Sequence, residues 1–227
     1  MQSRIARPSF TWQGLLALLL VILLVRASVV DWNYVPSRSM APTILPGDRI
    51  LVDKLAFAVT LPFSNQALLR WATPQRWDIV TFRAPTTGVL MVKRVVGLPG
   101  DTVSWQSGRL RINDQQADYA AIPAEDWSSA WAQALHGQNL FRETLGKHSA
   151  YILRDPQPSD TVSGSFSATL VPQGHYLVMG DNRDNSGDFR VFGFVSETAI
   201  TGKAYRVLFS LDPQHYYLPR WRFGTRL

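Results

Sequence analysis

"GVLMVKRVVGLPGD", Gly88 to Asp101, decides how the rest of the chain is read. From Val89 to Val96 apolar residues occupy both faces of an extended chain, interrupted only by Lys93 and Arg94. A strand apolar on both faces lies inside a sheet, with neighbours above and below. The run is short, rich in β-branched residues and closed by Gly-Leu-Pro-Gly-Asp, which favours strand over helix. Other short runs have the same character: "RILVDKLAF", "WDIVTFRAP", "GHYLVMGDN" and "GKAYRVLFS". "TVSWQSGRLRINDQ" reads as a hairpin turning at Gln106 to Gly108. The fold class is therefore mainly β, an antiparallel sheet core.

The pattern changes between Ala117 and Pro172. "PAEDWSSAWAQALHGQ" carries a helical pattern with Trp127 and Trp131, and "PSDTVSGSFSAT" is Ser-rich and polar. We read residues 117–172 as a smaller inserted β-rich domain and 31–116 with 173–227 as the core. Ahead of the core, "FTWQGLLALLLVILLVRASVV" runs from Phe10 to Val30 behind Arg4 and Arg7. Counted over residues 10–30 it reaches the roughly 20 residues of a transmembrane helix, with Arg26 snorkelling to the interface. A cleaved signal peptide and a buried core helix are the competing readings; the first lacks an Ala-x-Ala after Arg26, the second an amphipathic stripe. The early arginines put residues 1–9 in the cytoplasm and everything after Asp31 outside.

The chain holds 227 residues, a net charge of +6 and no cysteine, so disulfide and thiolate chemistry are excluded. Its basic balance suits anionic lipid as well as nucleic acid. No Gly-rich phosphate loop, repeat or metal-ligand spacing occurs. The aromatic, Arg-rich end "HYYLPRWRFGTRL" reads equally as an interface-seeking segment or a packed terminal strand.

Candidate chemistry starts from "NYVPSRSMAPTILPGD", Asn33 to Asp48. Residues two apart on an extended chain share a face, so Ser37 and Ser39 point together and Arg38 points away. A Ser-rich turn is the plain alternative. A nucleophilic serine needs a base. Only four lysines exist, and no histidine lies near. Lys147 sits in a polar turn and Lys54 follows Asp53. Lys93, in the doubly apolar strand, has the environment that lowers an ammonium pKa, with Arg94 adding repulsion. Lys203 passes the same test more weakly.

At these residues the chain resembles bacterial type I signal peptidases. "PSRSMAPTILPGDRILVDK", "MVKRVVGLPGD" and "GDNRDNSGDFRVFGFV" match that family's three principal blocks, in order, behind an anchor. The resemblance implies a membrane-anchored serine endopeptidase that removes signal peptides from exported preproteins, cutting after small residues. It implies Ser39 as nucleophile, Lys93 as general base, and an oxyanion hole from the Ser37 hydroxyl and the Ser39 N–H. It further implies that Ser186 orients the lysine, that Met40 packs beside the pair, and that Asp181, Arg183, Asp188 and Arg190 stiffen the site by ion pairing. A strand-like substrate would lie between Trp32, Asn33, Tyr34, Val35 and Pro36 on one side and Val89, Leu90, Met91 and Val92 on the other. The implied partners are preprotein signal peptides and the lipid bilayer of the bacterial cytoplasmic membrane. Neither cofactor, metal nor nucleic acid is expected. "DNRDNSGD" superficially matches a calcium loop but lacks its closing Glu.

Four features depart from the family pattern: Arg38 and Trp77 stand where Gly is usual, Phe189 where Ser is common, and there is room for one spanning helix. If residue 38 required positive φ, Arg38 would carry a steric cost. A peptidase dedicated to one substrate, such as a conjugative pilin, has the same chemistry. A membrane-anchored β binding module would share the fold without it, and self-cleaving regulators with Ser/Lys pairs carry a nucleic-acid-binding domain instead of an anchor.

Overall fold

The computed structural model describes residues 11–60, 67–135, 137–155 and 164–227. The expected N-terminal segment 1–9, Phe10, residues 61–66, residue 136 and the stretch "PQPSDTVS" fall outside them. The chain begins with helix α1 (Trp12–Ser28) and strand β1 (Val30–Tyr34), followed by β2 (Asp48–Asp53), β3 (Ala58–Thr60), β4 (Ala67–Arg70), β5 (Ile79–Arg83) and β6 (Leu90–Gly97). Next come β7 (Thr102–Gln106), β8 (Arg109–Ile112), β9 (Gln115–Gln116) and β10 (Asp118–Ala121), helix α2 (Ser129–Ala134), β11 (Asn139–Leu145), β12 (His148–Arg154) and β13 (Phe166–Leu170). The chain closes with β14 (His175–Met179), α3 (Phe189–Phe192), β15 (Val195–Ser196), β16 (Ile200–Asp212) and β17 (Leu218–Arg220).

The main sheet runs β1-β2-β16-β5-β6-β14-β15, with β17 also on β16, and its ladders are antiparallel. The expected mainly β core is observed. Strand β6 sits between β5 and β14, and from Lys93 to Gly97 it is buried throughout, as its two apolar faces require. Val80, Phe82, Val95 and Val178 pack on one face; Val96, Leu177 and Met179 pack on the other against Trp105 and Leu110.

The 117–172 boundary does not coincide with the sheets. The β7–β8 hairpin, expected in the core, leaves the main sheet and pairs through β7 with β13 from the insertion. Its turn, Ser107 and Gly108, has positive φ at both residues, the geometry that matches strand twist. Strands β10, β11 and β12 form their own sheet, yet Leu145 and Ala150 join the cluster under Trp105. The insertion thus shares a core with the sheet it interrupts. The helical pattern of "PAEDWSSAWAQALHGQ" contracts to a single 3₁₀ turn and the six-residue α2, capped by Ser128.

Helix α1 has 17 residues, about 26 Å at the standard rise. Among the described residues no helix is long and apolar enough to cross a membrane. The expected segment 10–30 is shortened at its end because Val30 leaves the helix to pair with Asp53. Leu16, Leu18, Leu19, Leu20 and Leu23 are nonetheless exposed, so among the described residues nothing covers them. In the C-terminal tail the two readings combine. Strand β17 packs on β16, Arg220 pairs with Asp212 and Arg222 with Asp48, while Tyr216, Trp221 and Phe223 face outward.

Candidate active site

After Tyr34 the chain leaves β1 and loops over residues 36–47 before returning as β2. The Val35 N–H donates to the Asp48 carbonyl at 2.9 Å and the Gly47 N–H to the Val35 carbonyl at 2.8 Å, which closes this loop. Met40 and Ile44 anchor it beneath, fully buried with Val35, Ile50, Val52 and Ile79. Ser37, Arg38 and Ser39 ride on top. Ser37 Oγ lies 3.2 Å from Ser39 Oγ, so the two hydroxyls do face one site.

Lys93, on β6 and three strands from β2 in the sheet, points at them. Its Nζ lies 2.7 Å from Ser39 Oγ, and the side chain is 2 % exposed. Burial lowers its pKa from 10.5 to about 8; Asp188 and Asp181 pull it back upward, and Arg190 pushes it down. The expected repulsion from Arg94 is not the cause. Successive strand residues face opposite sides, so Arg94 points away and donates to Asp181 at 2.7 and 2.6 Å and to the Trp77 carbonyl at 2.9 Å. Lys203 is no rival: it is 40 % exposed and its Nζ pairs with Asp78 at 2.6 Å.

The third block forms the rear wall. The Asn182 N–H donates to the Ser39 carbonyl at 3.1 Å, and Leu153 of β12 clasps the block through Asp181 and Arg183 backbone groups. Gly180 sits so close that a Cβ there would collide with Ser186 Oγ and the Ser39 carbonyl. Asp181, Arg183 and Asp188 are buried and the Arg190 side chain nearly so; all four are paired, but only Asp188 and Arg190 with each other. Asp181 binds Arg94. Arg183 binds Glu143 of β11, with Nη1 2.8 Å from Oε2. Only Asp188 and Arg190 pair within the block, at 2.8 Å, and Asp188 also accepts from the Gly180 N–H at 3.0 Å. Arg94 and Glu143 were absent from the sequence-based set. The expected bond from Ser186 to Lys93 is not formed: among the described residues Ser186 Oγ is buried without a hydrogen-bond partner, pressed against Gly180, while Lys93 reaches Ser39.

In front of the pair opens a cleft of about 430 Å³. Asn33, Tyr34, Val35 and Pro36 line one wall and Val89, Leu90, Met91 and Val92 the other, as expected. Trp32, two residues before the wall residue Tyr34 on β1, does not line it. Ile50, Thr81, Arg38, Asn185 and Gly187 line the cleft without having been foreseen for it. Strand β1 is the edge of the main sheet. The first half of β6 pairs with β5 alone, because β14 joins only at Arg94, Val95 and Gly97. Two strand edges therefore border the cleft.

Of the family departures, Arg38 costs no backbone strain, since its φ is not positive. Trp77 does sit at φ 74, in a turn where its N–H donates to the Val95 carbonyl at 2.8 Å. Phe189 packs edge-on against Phe166, 5.0 Å between centroids, and so ties the third block to β13.

Among protein families, the one described as "Signal peptidase, peptidase S26" matches residues 9–209. Signal peptidase I of Pseudomonas aeruginosa is 35 % identical over 216 residues, covering 89 % of this chain and 73 % of that protein. That of Pseudomonas fluorescens is 36 % identical with the same coverage, and that of Buchnera aphidicola 29 % identical over 92 % of this chain and 76 % of that protein. A crystal structure of a signal peptidase I from Enterococcus faecalis aligns at 31 % identity and a TM-score of 0.35, covering 58 % of this chain and 97 % of that one.

Proposed function

This chain belongs to the signal peptidase family, peptidase S26, and is a serine endopeptidase that removes signal peptides; on that premise we propose that Ser39 and Lys93 carry out the cleavage. The observation that carries the proposal is the 2.7 Å contact between Ser39 Oγ and a buried lysine whose pKa is lowered to about 8. A neutral amine accepts the hydroxyl proton as Oγ adds to the scissile carbonyl, and the resulting ammonium then protonates the leaving amine. The Ser37 hydroxyl and the Ser39 N–H would receive the developing oxyanion. Asp181 and Arg183 tie the third block to β6 and β11 through buried ion pairs, and Asp188 and Arg190 pair within it. Ser186, whose buried hydroxyl is unengaged among the described residues, is the candidate to steady the amine after Lys93 is charged.

The substrate adds a strand between the edges of β1 and β6, so its side chains one and three residues before the cut share a face and enter the cleft together. That arrangement suits small residues at both positions. Helix α1, apolar and exposed on every side, is the membrane anchor in this reading, with the basic N-terminus cytoplasmic and the β domain at the outer face. The outward Tyr216, Trp221 and Phe223 suit contact with the bilayer interface.

Incubating the detergent-solubilised chain with a panel of unrelated preproteins tests the reading. Wild type cuts many of them, whereas Ser39→Ala cuts none. Cleavage by Ser39→Ala would overturn the assignment, and cleavage of a single substrate would identify a dedicated peptidase. Protease added to spheroplasts should digest the β domain; full protection would reject the orientation.

A further inference from the structure

The oxyanion hole depends on where one N–H points. The peptide joining Arg38 to Ser39 is planar, and in a trans peptide the C=O and the following N–H point in opposite directions. The Arg38 carbonyl is held from behind by two donors: the Ala41 N–H at 3.0 Å and Asn182 Nδ2 at 3.3 Å. Fixing that carbonyl toward the third block aims the Ser39 N–H the other way. Among the described residues the Ser39 N–H has no acceptor, as a donor kept for substrate requires.

Asn182 is fully buried, and its amide is itself oriented. Gln138 Nε2 donates to Asn182 Oδ1 at 3.4 Å and to Asp155 Oδ1 at 3.1 Å. With Oδ1 turned to Gln138, Asn182 must present Nδ2 to the Arg38 carbonyl. Gln138 Oε1 in turn accepts from Arg38 Nη2 at 3.4 Å. The side chain and the carbonyl of the residue between the two serines are thus both tied to Gln138, one directly and one through Asn182. Gln138 and Asp155 belong to the insertion, not to any of the three blocks.

We propose that Asn182 is a positioning residue of the oxyanion hole, aiming the Ser39 N–H through the Arg38 carbonyl, and that Gln138 of the insertion sets its amide. The inference rests on Ser39 being the nucleophile. It gives the insertion a part in the reaction: its sheet supplies the bracket that turns one peptide plane.

A misaimed oxyanion donor weakens the transition state more than the ground state. The test compares wild type, Asn182→Ala, Asn182→Asp and Gln138→Ala for steady-state cleavage of a preprotein, for its pH dependence, and for inhibition by a peptide aldehyde ending in Ala. The aldehyde is attacked by Ser39 and places a hemiacetal oxygen in the hole, so its affinity reports the donor directly. For Asn182→Ala kcat should fall about tenfold to a hundredfold, less than or equal to the loss of a whole donor, with KM little changed. Aldehyde affinity should fall in parallel, and the pH midpoint, set by Lys93, should stay. Asn182→Asp, which sets an acceptor against the Arg38 carbonyl, should lose at least as much. Gln138→Ala should lose severalfold in kcat with the same signature, and it carries the test alone if the Asn182 variants do not fold. Unchanged kcat in the folded variants, or a kcat loss with undiminished aldehyde affinity, would overturn the inference while leaving Ser39 and Lys93 in place. Cleavage by Ser39→Ala would instead remove its premise.

Discussion

Lys93 and Arg94 are neighbours on one buried strand, and their cations meet opposite fates. Arg94 forks onto Asp181 and stays charged, as guanidinium does in proteins. Lys93 meets a hydroxyl, and burial presses it toward the neutral amine. The two acids that raise its pKa, Asp188 and Asp181, are both engaged elsewhere: one by Arg190, the other by Arg94. What separates a structural cation from a usable base is therefore which partner takes the carboxylates. Burial sets the lysine toward neutrality, and the acids, each bound by an arginine, offset it only in part.

The largest test of that contrast exchanges the cation types. Lys93→Arg keeps the charge but accepts no proton, so preprotein cleavage should fall by at least about a thousandfold, and Lys93→Arg with Ser39→Ala should be little worse than either alone. Near-normal turnover by Lys93→Arg would break the comparison. Next, Asp181→Ala strands Arg94 as a buried, unpaired cation. Denaturant unfolding should show a loss of roughly 3–5 kcal/mol. Because Asp181 also raises the Lys93 pKa, the pH midpoint of any residual activity should move below the wild-type value of about 8.

The third test concerns pH itself. Activity of the wild type should rise with a single deprotonation near pH 8, and should survive replacement of the histidines. Stability follows the same proton. Between the native value of about 8 and the ordinary value of 10.5 the unfolded chain binds a proton that the native state refuses. Stability from this group therefore rises with pH through that window and is level below it. Fully developed, the penalty below pH 8 is roughly 3 kcal/mol, from the linkage of pKa shift to free energy. Lys93→Met should abolish cleavage and flatten that slope in denaturant midpoints measured from pH 7 to 11. A slope unchanged in Lys93→Met would assign the proton to another group. The smallest effect is expected at Arg38→Gly. Residue 38 is not in the left-handed region, so restoring the family's usual glycine should relieve nothing and should cost up to about 1 kcal/mol through the looser unfolded chain.

The strand pattern and the two ends of the Ser39–Lys93 contact were legible because each is local: alternation, β-branched runs, and a doubly apolar strand around one lysine. What was not legible is mostly pairing across distance. Glu143 in "NLFRETL" reads as an ordinary polar strand residue, and nothing near it announces Arg183 as its partner. Arg94 was read as a neighbour in sequence, when the pleat makes it a neighbour of Asp181 instead. The hairpin at Ser107 was plain from its turn, but its alliance with β13 rests on a ladder between residues some 60 apart, with a bulge between Phe166 and Thr169. Of the two glycine departures, a conditional steric cost was attached to Arg38, whose φ is not positive, and none was considered for Trp77, which sits at φ 74.

The bare edges of β1 and β6 carry a consequence for what can be a substrate at all. A strand edge recognises main-chain N–H and C=O groups, which every residue shares. Segments inside a folded passenger already spend those groups on their own helices and sheets. On the proposed reading the cleft therefore inspects conformation before it inspects side chains: only a stretch still unclaimed by other structure can lie down between the two edges. A protein that has finished folding is protected by that fact alone, even where its sequence contains small residues at the right spacing. The length of time a newly exported chain stays extended around its cleavage point then becomes part of the enzyme's selectivity.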